Sequence, residues 1–254
     1  MPHAAIHTPI QGPNDPAVRD GVNPPIYDNA ADMPVEEYQR RYREMVISID
    51  AGLKMIVEEL RKEGILDNTL IIFTSDNGAE KTAADKYPGA NGNFHGWKST
   101  LYEGGTRVPA IFYYPKSMQH RINNELMLTM DLMPTILEFC GIENNQKIDG
   151  VSLLPVLINN QPMTERDVFW ANAGSVAMQR GVWKLVWQYT SVELFNMLID
   201  PKEQHDLSSS YPDKTIQMKT AVEKWWSEVT RGTKLEGSAA VTTNRVMMQR
   251  SVTE

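Results

Sequence analysis

Hydrophobic positions recur at three- and four-residue steps along one long stretch that begins after Pro34. Tyr38, Tyr42, Met45, Ile49, Leu53, Ile56, Val57 and Leu60 share a side, with Glu and Arg opposite them, which predicts an amphipathic helix. Pro34 suits its start and Gly64 its end. Two continuous apolar runs follow, Thr69-Leu70-Ile71-Ile72-Phe73-Thr74 and Val108-Pro109-Ala110-Ile111-Phe112-Tyr113-Tyr114. Runs of that kind predict strands buried on both faces, as in a parallel sheet covered by helices. Between them lies a polar, Gly-rich loop from Ser75 to Arg107; loops of roughly thirty residues are uncommon in compact domains and are usually functional. Asp131 to Gly141 predicts a short helix with an Asp near its N-cap and a Gly stop.

The pattern changes at both ends. Residues 1–33 are rich in Pro, Asn, Asp and Gly and predict an extended loop. From about Asn159, short alternating stretches predict antiparallel strands: Val168-Phe169-Trp170, Ala177-Met178-Gln179, Trp183-Lys184-Leu185-Val186-Trp187 and Glu193-Leu194-Phe195-Asn196-Met197, with a turn at Arg180-Gly181. A helix from about Pro212 to Thr230 gathers Ile216, Met218, Val222, Trp225, Trp226 and Val229 largely on one side. The tail after Gly232 is weakly patterned and is expected to be partly mobile. Two domains are expected, an α/β part over 1–158 and a small α+β part over 159–254.

Composition narrows the function classes only slightly. The net charge of −7, without a long Lys or Arg block, argues against a nucleic-acid or anionic-membrane surface. No apolar run approaches the roughly 20 residues of a membrane-spanning helix. Cys140 is the single cysteine, so no internal disulfide exists and the redox compartment stays open. The opening Met1-Pro2-His3-Ala4-Ala5 lacks the basic-then-apolar pattern of a signal peptide, which says nothing about secretion if Met1 is internal to a longer parent.

Three segments carry residues suited to chemistry. Ser75-Asp76-Asn77-Gly78 directly follows a strand, where ligands gather in open α/β sheets. Its adjacent carboxylate and amide offer hard oxygens for Ca²⁺ or Mg²⁺, although Asp-Asn-Gly is equally a good turn. Gly96-Trp97-Lys98-Ser99-Thr100-Leu101-Tyr102-Glu103-Gly104-Gly105-Thr106-Arg107-Val108-Pro109 places a lysine in a Gly-rich loop, where it can hold a tetrahedral oxyanion or simply be a solvated surface cation. The spacing is not that of a Walker phosphate loop. Ile6-His7-Thr8-Pro9 offers an imidazole for an anion or for general acid work, and His95, three residues before Lys98, is a weaker candidate. His3, His120 and His205 have no such context.

In their order along the chain these segments resemble the type I, formylglycine-dependent sulfatases of the alkaline-phosphatase-like superfamily, arylsulfatases among them. His7-Thr8-Pro9, the long helix, Thr74 to Gly78, and Gly96-x-Lys98-x4-Glu103-Gly104-Gly105-x-Arg107-Val108-Pro109 match in sequence. Asp131-Leu132-Met133-Pro134-Thr135, Asp149-Gly150-Val151-Ser152-Leu153-Leu154-Pro155, Trp183-Lys184-Leu185, Glu193-Leu194-Phe195-Asn196 and Asp200-Pro201-x-Glu203 continue the match to about Val229. The resemblance implies a partial alkaline-phosphatase-like α/β sheet covered by helices, plus a small C-terminal antiparallel sheet with one packed helix. It implies Asp76 and Asn77 as ligands to Ca²⁺, or to Mg²⁺ in its place, and Lys98 and His7 as catalytic contacts to the sulfate ester or its leaving oxygen. Glu103 and Arg107 would fix the loop that presents Lys98. It further implies a sulfated small molecule or carbohydrate as partner and a periplasmic or secreted setting.

One departure is plain. A Cys/Ser-x-Pro/Ala-x-Arg motif, the source of the formylglycine nucleophile, is absent from all 254 residues, and so is the family's consecutive Asp pair on its first strand. Cys140, in Glu138-Phe139-Cys140-Gly141, lacks the Pro and Arg and is expected to be structural at the end of a core helix. A C-terminal portion of a sulfatase, inactive alone and completed by an N-terminal half, is the leading expectation. Phosphate ester hydrolysis in the same superfamily and a non-catalytic binding or scaffold remnant are the alternatives. Phe94 and Trp97 are candidates to contact a sugar or aryl ring.

Overall fold

The computed structural model describes residues 6–7, 9–15, 30–87, 89–172 and 174–231. The expected mobile tail after Gly232, Thr8, and most of residues 1–33 lie outside these. In chain order the elements are α1 (Val35–Lys62), β1 (Ile71–Thr74), α2 (Lys81–Lys86), α3 (Glu103–Thr106), β2 (Ala110–Tyr113), α4 (Leu132–Phe139) and α5 (Leu154–Asn159). Then come β3 (Asp167–Asn172), β4 (Ser175–Arg180), β5 (Trp183–Gln188), β6 (Ser191–Asn196) and α6 (Pro212–Val229). The chain divides into two compact units. One comprises residues up to Asp76 with Val108–Thr164; the other joins Asn77–Arg107 to the residues from Glu165 onward. The Gly-rich loop therefore belongs with the C-terminal sheet, not with the α/β part from which it emerges in sequence. Among the described residues no helix is long and apolar enough to cross a membrane.

In the first unit, α1 lies between its N-cap Pro34 and the left-handed Gly64 just past its end, as its periodicity predicts. Tyr38, Tyr42 and Met45 bury its first half, whereas Ile47, Met55 and Ile56 farther along are exposed. The segment 9–15 is fastened to that first half. Ile10 is buried, the Gln11 N–H meets Met45 Sδ at 3.4 Å, and Arg40 and Arg41 both reach Asp15 and Glu37.

The strands of this unit correct the expectation of a parallel sheet buried on both faces. β1 pairs with β2 antiparallel, Ile71 opposite Tyr113 and Thr74 opposite Ala110. Ile111 is 55% exposed and Tyr113 43% exposed. An apolar run marks a strand but fixes neither its direction nor what covers it. β2 also starts only after Pro109, which has no N–H for a ladder.

Asp131 explains a second stretch of the unit. It is fully buried beside the N-terminus of α4, yet its carboxylate does not cap that helix. It accepts the N–H groups of Leu128 (2.8 Å) and Val151 (3.0 Å), while Thr135 Oγ1 donates to the Asp131 carbonyl and accepts from the Leu153 N–H. Gly150 lies against Met130, whose carbonyl a Cβ would approach to 2.0 Å. The Asp131 and Asp149-Gly150 motifs thus hold two chain segments together. Cys140, at the C-terminus of α4, is exposed, so its expected place in a core is corrected.

The second unit is an antiparallel meander in the order β3-β4-β5-β6, as predicted, packed on α6. Strand alternation assigns its faces. Val176, Met178, Leu185, Trp187 and Leu194 face α6 and meet Met218 and Val222. Each such fully buried side chain contributes about 1.5–3 kcal/mol. Ala177, Val186 and Phe195 form the opposite face, and it is the Gly-rich loop, through Leu101 and Tyr102, that covers it.

Candidate active-site loop

β1 ends at Thr74, and the loop opens with Ser75, exposed Asp76 and half-buried Asn77. The Asn77 amide donates from Nδ2 to the Gly78 carbonyl (2.9 Å), which makes Oδ1 its acceptor end. Gly78 must be glycine: a Cβ there would stand 1.9 Å from the Gly104 carbonyl oxygen, and its N–H donates to the Gly105 carbonyl at 3.0 Å. One residue on, the Ala79 N–H donates to Asn91 Oδ1 (2.8 Å), and its carbonyl accepts the Lys98 N–H (2.8 Å). Asn91 completes the tie by donating from Nδ2 to the Gly96 carbonyl at 2.9 Å. The structure therefore brings Asn77 and Lys98 onto one hydrogen-bonded backbone frame. His7 is exposed and belongs to the other unit.

Around Lys98 the chain is tightly bent. Gly96 has φ +80°, and Ser99 has φ +75°, a conformation unfavourable for a residue with a Cβ. Thr100 Oγ1 donates to the Trp97 carbonyl and accepts the Trp97 N–H, closing the turn. The Lys98 side chain is half-buried, and none of the described acidic residues pairs with it within 4.0 Å. A cation held on a rigid turn without a carboxylate partner is suited to an external anion.

The aromatic and histidine neighbours are already engaged. Lys81 Nζ lies 4.9 Å over the Trp97 ring, and the Arg107 guanidinium lies 4.9 Å over Phe94. His95 stacks on Tyr102 with ring centroids 4.0 Å apart, and the Tyr102 hydroxyl donates to Glu193. Burial first, then that carboxylate, pushes the Tyr102 hydroxyl well above its ordinary pKa.

Behind the loop sits a charged cluster. Lys184 points from the loop-facing side of β5, with Nζ 2.7 Å from Glu103 Oε1 and 2.8 Å from Glu203 Oε1. Both Lys184 and the Glu203 side chain are fully buried. The Lys184–Glu203 contact is close in distance but not aligned as a hydrogen bond. Glu203 Oε2 accepts the Glu103 N–H at 2.7 Å, and Arg107 supplies the second cation to Glu103 Oε2 at 3.2 Å. Burial raises the Glu203 carboxyl above its usual range, against the pull of Lys184. Glu203 itself has φ +54°, in a turn where the Asp200 carboxylate accepts the N–H groups of Gln204 and His205. Lys184 and Glu203 carry no functional assignment from sequence reasoning; the available signal was a lysine inside an otherwise apolar strand.

The donor types after β1 fit a hard divalent cation: a carboxylate at Asp76 that engages no described side chain, and the Asn77 amide oxygen beside it. Among the described residues no group of three or more His, Cys, Asp or Glu gathers to hold a metal. Asp76 and Asn77 could offer such a cation two oxygens, which is less than a full ligand set.

The sulfatase family model matches residues 3–142, more than half of the chain, and the model of the N-sulphoglucosamine sulphohydrolase C-terminal region matches 92–228. The chain belongs to the sulfatase family. It is 35% identical over 187 residues to N-acetylgalactosamine-6-sulfatase of Sus scrofa, covering 71% of this chain and 35% of that protein. It is 30% identical over 212 residues to N-acetylglucosamine-6-O-sulfatase of Bacteroides thetaiotaomicron, covering 74% and 36%. The crystal structure of Ps i-CgsB superposes with a TM-score of 0.71 at 26% identity, covering 97% of this chain and 53% of that one. The chain thus spans about one third of the length of the curated relatives it matches and about half of that structure. These likenesses bear out the alkaline-phosphatase-like α/β reading of the fold.

Proposed function

We propose that this chain is part of a sulfuric ester hydrolase acting on carbohydrate sulfates. The observation that supports it is the hydrogen-bonded frame that ties the backbone of Lys98 to that of Asn77 through Gly78, Ala79 and Asn91. Asp76 and Asn77 would bind Ca²⁺, or Mg²⁺ in its place. When bound, such a cation polarises the sulfate oxygens. Lys98 would bind the same group as a point charge and stabilise charge that grows in the transition state. His7 would contact the sulfate or the leaving oxygen. The preference for sugar sulfates follows the two amino-sugar sulfatases among the relatives and the complex of Ps i-CgsB with k-i-k-neocarrahexaose.

The formylglycine motif is absent from the sequence, so the nucleophile and the remaining metal ligands are assigned to an N-terminal portion of the parent. The 254-residue chain alone is expected not to hydrolyse 4-nitrophenyl sulfate. It is expected to bind inorganic sulfate weakly in the presence of Ca²⁺, followed by amide NMR shifts, with binding lost in Lys98→Ala and weakened in Asp76→Ala. Turnover by the pure chain that disappears in Asp76→Ala would overturn its assigned inactivity. Sulfate binding indifferent to both substitutions would overturn the site.

A further inference from the structure

We infer that Lys184 and Glu203 are positioning residues for Lys98, acting through Glu103 and the Gly104-Gly105 turn. The functional part of this inference rests on the sulfate-binding reading above.

Gly104 and Gly105 lie against the backbone on either side of Lys98. A Cβ on Gly104 would stand 2.3 Å from the Gly96 carbonyl oxygen and 2.6 Å from that of His95; one on Gly105 would stand 2.3 Å from the Thr100 oxygen and 2.5 Å from that of Trp97. The Gly104 N–H donates to the His95 carbonyl at 2.6 Å. Backbone packed on backbone leaves no side chain to give way, so a shift of the 103–106 turn must carry 95–100 with it.

What holds the turn is the charged cluster. Glu103 is gripped at three points: its N–H by Glu203 Oε2, one carboxylate oxygen by Lys184, the other by Arg107. Two carboxylates and two cations balance. Lys184 also lies 5.8 Å from the Trp170 ring, on a β-strand whose other face is the apolar core. A buried ionic cluster adds little stability over an apolar replacement, but it demands one geometry. Its strict requirement for position, passed through two glycines, fixes where the Lys98 backbone can be. The same turn reaches Asn77 through the Gly78–Gly105 hydrogen bond, so one anchor serves both halves of the site.

The test compares the full chain with the charge-balanced double variant Lys184→Met/Glu203→Gln, which leaves Glu103 paired with Arg107. Amide hydrogen exchange is read by NMR. Exchange at Lys98 and Gly104 is expected to quicken about tenfold or more, while amides of β4 and β5 stay within about twofold. Equal acceleration everywhere would reduce the cluster to a stability element and overturn the inference, as would no change at Lys98. If the double variant does not fold, Glu203→Gln alone decides by the same amides. The second arm measures inorganic sulfate affinity with Ca²⁺, which is expected to fall about fivefold or more in the double variant. Full affinity in the double variant together with loss in Lys98→Ala overturns the positioning role and leaves the sulfate site standing. No effect of Lys98→Ala overturns the sulfate site, and the exchange result then stands alone.

Discussion

Lys184 and Glu103 are 81 positions apart in the chain and 2.7 Å apart in space, Nζ to Oε1, and this pair joins the C-terminal sheet to the loop that carries Lys98. It makes the loop a covering layer of the sheet rather than a free excursion from β1. Both faces of the meander are thereby used, one for the apolar contact with α6 and one for the site loop.

Removing one partner of that cluster is a different experiment from replacing it in balance. Lys184→Ala leaves the Glu203 carboxylate buried without its cation, and burial already opposes that charge. The expected cost is about 3–5 kcal/mol in urea denaturation. A loss below roughly 1 kcal/mol would mean that the carboxylates find other partners or protonate freely.

Gly104 gives a sharper test of the loop frame. Gly104→Ala adds one methyl facing two carbonyl oxygens that cannot rotate away. A cost of about 1–3 kcal/mol is expected from overpacking. Gly52, on the long helix with open space where its Cβ would be, is the control: Gly52→Ala is expected to stabilise by roughly 0.5–1 kcal/mol. Thermal unfolding of both variants checks the pair, and a neutral Gly104→Ala would dismiss the backbone contact.

Much of this was legible from the residues, for identifiable reasons. The long helix and the four short strands have strong 3.6- and 2-residue periods, and both were found where predicted. Lys98, Asp76 and Asn77 could be singled out as candidates because glycines and turn formers surround them. The direction of β1 and β2 was not legible, since a continuous apolar run has no face to orient. Nor was the allegiance of the loop: the contacts that bind Glu103 come from Lys184 and Glu203, and no local pattern spans 81 or 100 residues. Helix α5 was missed because six residues hold less than two turns of periodicity.

The docking of residues 9–15 on α1 is expected to depend on pH. Hydrogen bonds from Arg40 and then Arg41 hold the Glu37 carboxyl down to about 2, from an ordinary 4.5. Burial alone would raise Asp15, but Arg40, the Gly12 N–H and Arg41 outweigh it and lower it. Folded values below the unfolded ones mean that the stabilisation is complete above about pH 4.5 and is lost as pH falls through 2. Carbon NMR of the Glu37 carboxyl should show that low midpoint, with the Ile10 methyl signals moving in the same window. High salt should weaken the effect, because Arg40 is partly exposed. A Glu37 midpoint near 4.5 would dissolve the link.

The exposed side of the β1–β2 pair makes the last prediction. Had β2 been buried on both faces, replacing Ile111 by a polar β-branched residue would cost 1–3 kcal/mol by rough measure, through a lost apolar contact and an unsatisfied hydroxyl. Ile111 is instead 55% exposed, beside half-buried Phe112 opposite Ile72. Ile111→Thr keeps the strand propensity and is expected to change the stability of this chain by no more than about 0.5 kcal/mol. Phe112→Ala, on the covered side, is expected to cost clearly more. Paired urea titrations decide between the two pictures: a large loss at Ile111 would show that its face is covered in the chain as it exists in solution, and the antiparallel two-stranded arrangement would then need revision.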